Sequence, residues 1–213
     1  MSEQKINIPK LGIFLGVVAA VASGLLAAVN VQTKPQIEKN AALKKEEAMN
    51  QVLPPFKKLV SLEKAIDGAT FSVALDENNV PVGIAGVAEQ EGFSGPVEVM
   101  VGLNPDGTIR KVLVTKQTET PGLGTVITDR KIQKTINDLF HPTELVGLPP
   151  NQYLDQYETA TSETTWTVTK DGGDIDAKTG ATITSRAVCA AVEKVYKAYN
   201  GHSEEILNLK GAE

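Results

Sequence analysis

A chain of 213 residues suits one domain of ordinary size together with an anchor. Its net charge of −5 speaks against nucleic acid as a partner. One cysteine, Cys189, excludes an internal disulfide and an iron–sulfur cluster held by cysteines of this chain; two histidines, His141 and His202, give no pair at metal-ligand spacing.

Residues 1–10 carry Lys5 and Lys10 and precede an uncharged run over residues 11–31. As a helix, that run is long enough to cross a hydrocarbon core of ~30 Å. A cleaved signal peptide competes, because Ala20-Val21-Ala22 imitates a cleavage site. Apolar sequence continues past that point through Leu25, Leu26 and Val29, which favours a retained transmembrane helix. Gly12, Gly16, Ala20, Gly24 and Ala28 recur every fourth residue and lay a small-residue stripe along one helix face. Such a stripe lets a second helix come close in lipid; the plainer reading is that glycine and alanine are common in membrane spans. Lys34, Lys39, Lys44 and Lys45 follow the span, and lysine counts alone put that side in the cytoplasm. Residues 32–60 read as a stalk, with a polar helix over 36–52 ended by Pro54 and Pro55. Residues 61–213 read as the globular domain.

Within that domain, residues 70–115 are strand-like. Phe71-Ser72-Val73-Ala74-Leu75 alternates, Asp76-Glu77-Asn78-Asn79 turns the chain, and residues 80–87 return. Val97, Val99, Val101 and Leu103 alternate with Glu98, Met100 and Gly102, which predicts a half-buried strand. Asn104-Pro105-Asp106-Gly107 predicts a turn, and residues 109–115 pair back. Helical spacing of Ile132, Ile136 and Leu139 or Phe140 predicts a helix over 128–140. Prolines and glycines predict an irregular loop over 141–161, and Trp166 and Val168 a short strand. Val188, Val192, Val195 and Tyr199 form the buried stripe of a last helix, with Cys189 as a small buried hydrophobe. Runs of strands without helical crossovers predict an α+β domain with a mostly antiparallel sheet and flanking helices, not a doubly wound one.

Two segments point to chemistry. Asp176-Ala177-Lys178-Thr179-Gly180-Ala181-Thr182 places hydroxyls and small residues directly before the last helix. Free N–H groups and the positive dipole end favour a phosphate there, and Gly180 and Ala181 leave room beside the main chain. Asp176 is out of place beside a bare phosphate, unless a metal ion bridges them or the phosphate is accepted covalently. The plain alternative is a turn with an N-cap at Thr184 or Ser185. Glu119-Thr120-Pro121-Gly122-Leu123-Gly124 is the second segment; its plain reading is a tight loop with Pro121-Gly122 as a type II turn. There is no Gly-x-Gly-x-x-Gly fingerprint, which argues against NADH binding to this chain.

The first segment resembles the Asp-x-x-[Ser/Thr]-Gly-Ala-Thr signature at which FMN is attached through its phosphate to the last threonine. Around it stand Thr169-Lys170-Asp171-Gly172-Gly173-Asp174-Ile175 and Ile183-Thr184-Ser185-Arg186-Ala187-Val188. Farther back come Gly92-Phe93-Ser94-Gly95-Pro96 and then the Glu119 segment. In this order, over residues 85–200 and with a fitting anchor, the chain resembles the G subunit of the Rnf complex, an ion-translocating ferredoxin:NAD oxidoreductase. The C subunit of the sodium-translocating NADH:quinone reductase is a cousin. Gln117 matches the cousin more often; Asp-Gly-Gly-Asp-Ile-Asp-Ala and the short chain favour Rnf.

The resemblance implies covalent FMN on Thr182, with Asp176, Thr179, Gly180 and Ala181 around the attachment. It implies that Glu119 and Thr120 bond the isoalloxazine edge, that Leu123 packs on a ring face, and that Gly124 lets the backbone approach. A separate flavin transferase, using FAD and Mg²⁺, would make the bond. The implied role is an electron relay in a membrane translocase, partnered by the other Rnf subunits. The implied topology is a single pass through the bacterial inner membrane, with the amino terminus inside and the flavin domain on the periplasmic side. Lysine counts oppose that orientation; a long domain can translocate regardless. Alternatives are a C-type quinone-reductase subunit, a flavin domain serving another extracytoplasmic reductase, and a flavin-free assembly adaptor.

Overall fold

The computed structural model describes residues 8–130 and 148–208. It divides into two units, with the boundary between Lys44 and Lys45. The first holds most of helix α1, Ile8–Val52. This is one helix long and apolar enough to cross a membrane. Its apolar side chains, Leu11, Ile13, Phe14 and Leu15 among them, stand exposed. Beyond Cα of Gly12, Gly16 and Gly24 the space is open. No break separates the uncharged run from the polar stretch after it.

The second unit is built on a five-stranded antiparallel meander in the order β1-β2-β3-β4-β5. Its strands are β1 (Lys58–Ser61), β2 (Ala69–Leu75), β3 (Pro81–Glu91), β4 (Pro96–Leu103) and β5 (Ile109–Lys116). The hairpin turns follow their side-chain chemistry. Asp76 accepts hydrogen bonds from the amides of Asn78 and Val80, each 2.8 Å, while Asn79 takes a left-handed φ of 58°. Gly107, at φ 87°, donates its amide to Asn104, as proline followed by glycine dictates.

Helix α4 (Thr182–Leu207) covers one sheet face. Val188, Val192, Val195 and Tyr199 are buried with Phe71, Val73, Ile84, Val99, Val101 and Leu103. The expected stripe is therefore present, and Cys189 is buried among it. The helix starts six residues before Val188, the first residue of that stripe, and runs on past Tyr199.

β4 departs from the half-buried expectation. Met100 is 1 % exposed, although it points away from α4's face. The last turns of α1 explain this: Ala48, Met49, Val52 and Leu53 form a second apolar cluster with Ala74, Ala85 and Met100. Both sheet faces are thus covered, one by α4 and one by residues 48–53.

Two further expectations change. The loop over 141–161 lies partly outside the described residues. Its described part contains α3 (Gln152–Asp155) and a 3₁₀ turn, Gln156–Thr159. Asn151 starts α3 by accepting from the Tyr153 amide, and its own amide group donates to the carbonyls of Val126, Ile127 and Asp129. Trp166 is not on a strand. Val168 makes one isolated parallel bridge to Ile175, and Thr169–Asp171 is a 3₁₀ turn. Most of the helix expected over 128–140 lies outside the described residues; the described helix beside it is α2, Thr125–Thr128.

Candidate functional site at the start of the last helix

Thr182 is the first residue of α4 and is half-buried. The preceding Ala181 occupies the N-cap position and supplies no side-chain cap. Thr184 and Ser185 are not caps. The Ser185 hydroxyl instead donates to the Ala181 carbonyl (2.9 Å) and accepts from the Lys178 amide (3.3 Å). This fastens the turn before the helix from below, with the first-turn amides left for another acceptor.

Gly180 has φ 88°, a value that favours glycine. A side chain there would meet only Leu123 at 3.6 Å, so backbone conformation rather than crowding requires the glycine. Ala181 turns its methyl into the core and is 5 % exposed. Thr179 is exposed beside Gly180. Asp176 is also exposed, and its backbone is held by Gln156, which accepts from the Asp176 amide at 2.7 Å. Asp176 lines a separate cavity with Gln156, Thr161, Asp174 and Ile175.

The second segment meets the first through a buried carboxylate. Glu119 is 4 % exposed. One oxygen accepts from the amides of Phe93 (2.8 Å) and Ser94 (3.1 Å); the other accepts from the Thr184 hydroxyl at 2.6 Å. A Cβ at Gly92 or Gly124 would collide with this carboxylate. Glu119 therefore ties three separate pieces together: the 92–95 turn, its own loop, and the first turn of α4. The room left by Gly124 is filled by Glu119. Thr120 closes the tight turn by accepting the Leu123 amide at 3.2 Å, with Gly122 at φ 78°. The type II turn and the candidate site are one structure.

Above this pin lies a cavity of ≈ 80 Å³ lined by Phe93, Glu119, Thr120, Leu123, Gly180 and Thr184. It is too small to enclose a flavin, since pockets that bury a ligand of that size run to ~300 Å³ or more. Its rim is apolar and open, with Phe93 67 % exposed and Leu123 47 %. A flat ring lying across this rim would cover what is otherwise costly to expose.

Lys170 reads from the sequence either as facing the phosphate or as a solvated lysine, whereas the Asp171–Arg186 pair has no signal there. Lys170 donates to the Thr182 hydroxyl at 2.9 Å. Asp171 pairs with Arg186 through two bonds of 2.7 and 2.8 Å. The guanidinium holds the Asp171 carboxyl below its ordinary value, and the Arg186 guanidinium is raised in return. Trp166 stands elsewhere. It stacks on Tyr157 at 6.4 Å and packs against Tyr196 at 4.9 Å. With Glu193 and Lys197 it lines a groove of ≈ 890 Å³. That groove is the larger hollow, but Glu193 is eleven residues along α4 from Thr182, ~16 Å by helical rise.

The family profile for the FMN-binding domain matches residues 92–197, and that for the RnfG N-terminal region matches residues 1–52. The G subunit of the ion-translocating oxidoreductase complex of Cronobacter sakazakii is 36 % identical over 198 residues, covering 88 % of each chain. The chain belongs to the G-subunit family. The corresponding protein of Escherichia coli K12 is 33 % identical, over 88 % of this chain and 89 % of its own. The crystal structure of Shewanella oneidensis NqrC aligns with a TM-score of 0.44 at 17 % identity, covering 74 % of this chain and 72 % of that one. This G-subunit chain is thus part of an ion-translocating oxidoreductase complex, with an FMN-binding domain and one apolar N-terminal helix.

Proposed function

We propose that this chain is the electron-relay subunit of an Rnf-type complex and carries FMN covalently on Thr182 through a phosphoester. The observation that carries the reading is the hydroxyl of Thr182, on the uncapped first turn of α4, 2.9 Å from the Lys170 ammonium and between Gly180 and Thr184, which line the shallow cavity. The residues fit the group. Thr182 would hold the phosphate, Thr179 and Gly180 would flank it, and Thr120 and Leu123 would meet the ring. Glu119 supports that surface from beneath, because its oxygens already accept from Phe93, Ser94 and Thr184. A bound flavin supplies one- and two-electron transfer; the protein supplies position and electrostatics.

A threonine hydroxyl is a weak nucleophile, so attachment needs a separate transferase, acting on FAD with Mg²⁺. Asp176 is exposed and free to be read by that enzyme. A covalent link keeps the flavin on an open site too shallow to retain it by burial. This suits a domain on the periplasmic side of the inner membrane, with the partner subunits in the membrane. The test is flavin fluorescence of the denatured chain on a gel. Thr182→Ala removes it with little change in melting, and Asp176→Ala lowers loading. A persistent signal in Thr182→Ala would place the link at another residue, and a colourless native chain would favour the flavin-free adaptor.

A further inference from the structure

Between Trp166 and Asp176 the chain forms a short strap whose every turn is tied. The Thr165 amide donates to the Asp174 carboxylate at 2.7 Å, the Thr169 amide to Ile175 at 2.8 Å, and the Ile175 amide to Thr167 at 3.1 Å. Gly172 has φ 86°, and a Cβ at Gly173 would collide with Thr167, so the strap has little room to rearrange. The Asp171–Arg186 pair then fastens its tip to α4. Arg186 is one helical turn beyond Thr182 and lies on the same face. The side chain next to this clamp is Lys170, and among the described residues it is the one cation bonded to the Thr182 hydroxyl.

We propose that Lys170 is the residue of this chain that recognises the phosphate joined to Thr182, and that the Asp171–Arg186 pair positions it. The proposal rests on Thr182 being the attachment residue. In the step concerned, Thr182 Oγ1 attacks the flavin-side phosphorus of FAD. The Oγ1–P bond forms, the bond from that phosphorus to the bridging oxygen breaks, and AMP leaves. The hydroxyl proton passes to a base on the transferase. Lys170 takes no proton in this step. Its ammonium stands beside the oxygen being bonded, so it faces the charge that gathers on phosphorus and then the anionic diester. Arg186 is instead turned onto Asp171, whose two oxygens accept from its Nε and Nη2.

The test uses the full chain in detergent with purified flavin transferase, FAD and Mg²⁺, following flavin attachment over time by intact mass. Lys170→Met is expected to slow attachment about tenfold or more, as loss of one charge-assisted contact would. Lys170→Arg is expected to recover most of the rate, and added salt to shrink the gap between wild type and Lys170→Met. Removing the clamp as a pair, Asp171→Asn with Arg186→Gln, is expected to slow the wild type several-fold. The same pair is expected to add nothing in the Lys170→Met background, since it acts through that lysine. Lys197→Met, on an exposed ion pair with Glu193, is the control. Wild-type rates for Lys170→Met, with no attachment to Thr182→Ala, would overturn the role of Lys170. Equal slowing by the clamp variant in both backgrounds would overturn its positioning role. Attachment to Thr182→Ala would instead overturn the choice of Thr182 beneath the proposal.

Discussion

Glu119 is the residue on which the geometry of the site turns. Its carboxylate has three donors, from turns that are far apart in sequence. Glu119→Ala leaves two amides and a buried hydroxyl without an acceptor, at a cost of about 3 kcal/mol or more. Thermal melting of the full chain should drop accordingly, and Glu119→Gln, which keeps shape and one acceptor, should lose less. An unchanged melting point for Glu119→Ala would mean that water replaces the carboxylate freely. Cys189 is a second case. Burial pushes its thiol from 9.0 up to about 11. The neutral form is favoured in the fold, so this contribution is complete below pH 9 and fades as pH rises from 9 to 11. Cys189→Ala should flatten the fall in stability across that window. Residual loss above pH 10 belongs to Tyr157 and Tyr199, both raised chiefly by burial. Native Cys189 should also resist thiol reagents that label it after unfolding. The sequence pattern around Thr182 was readable because a helix start has a local grammar. The bond from Glu119 to Thr184 joins positions 65 residues apart and has no such grammar.

At the scale of elements, glycines decide how closely the layers pack. Gly86 sits where a Cβ would strike Val195 of α4, and Gly102 where it would strike the Val52 backbone. Gly102→Ala should therefore cost roughly 2 kcal/mol and loosen residues 48–53 from the sheet. Hydrogen exchange in those turns should speed up more than in α4; protection unchanged in both would mean that Val52 shifts without cost. The strands and their turns were legible because alternation and Pro-Asp-Gly chemistry are local. Burial of Met100 was not, because the cover comes from the end of a helix whose polar composition reads as a solvated stalk. α3 and the 3₁₀ turn after it were missed for a related reason. Four-residue helices have too few turns for a period, and the Nδ2 of the capping Asn151 is held by carbonyls more than twenty residues away, which no local pattern reveals.

For the whole molecule, the two ends of the chain serve one task. The apolar run of α1 anchors, and the FMN-binding domain carries the cofactor surface. Gly12, Gly16, Ala20, Gly24 and Ala28 share a helix face, with open space beyond the glycines. If that face packs on a helix of a membrane-embedded partner, Gly16→Leu with Gly24→Leu should weaken co-purification with the complex while leaving flavin loading intact. Leucines at Val18 and Ala22, on the opposite face of the helix, are the comparison; equal assembly of both variants would leave docking to the rest of the chain. The central claim is that one flavin is bonded to Thr182. It is tested most directly by the intact mass of the chain isolated from its native membrane, with the modified peptide then sequenced. The account predicts an added mass of one FMN less one water, all of it on Thr182. An unmodified mass, or the same increment on any other residue, would contradict it.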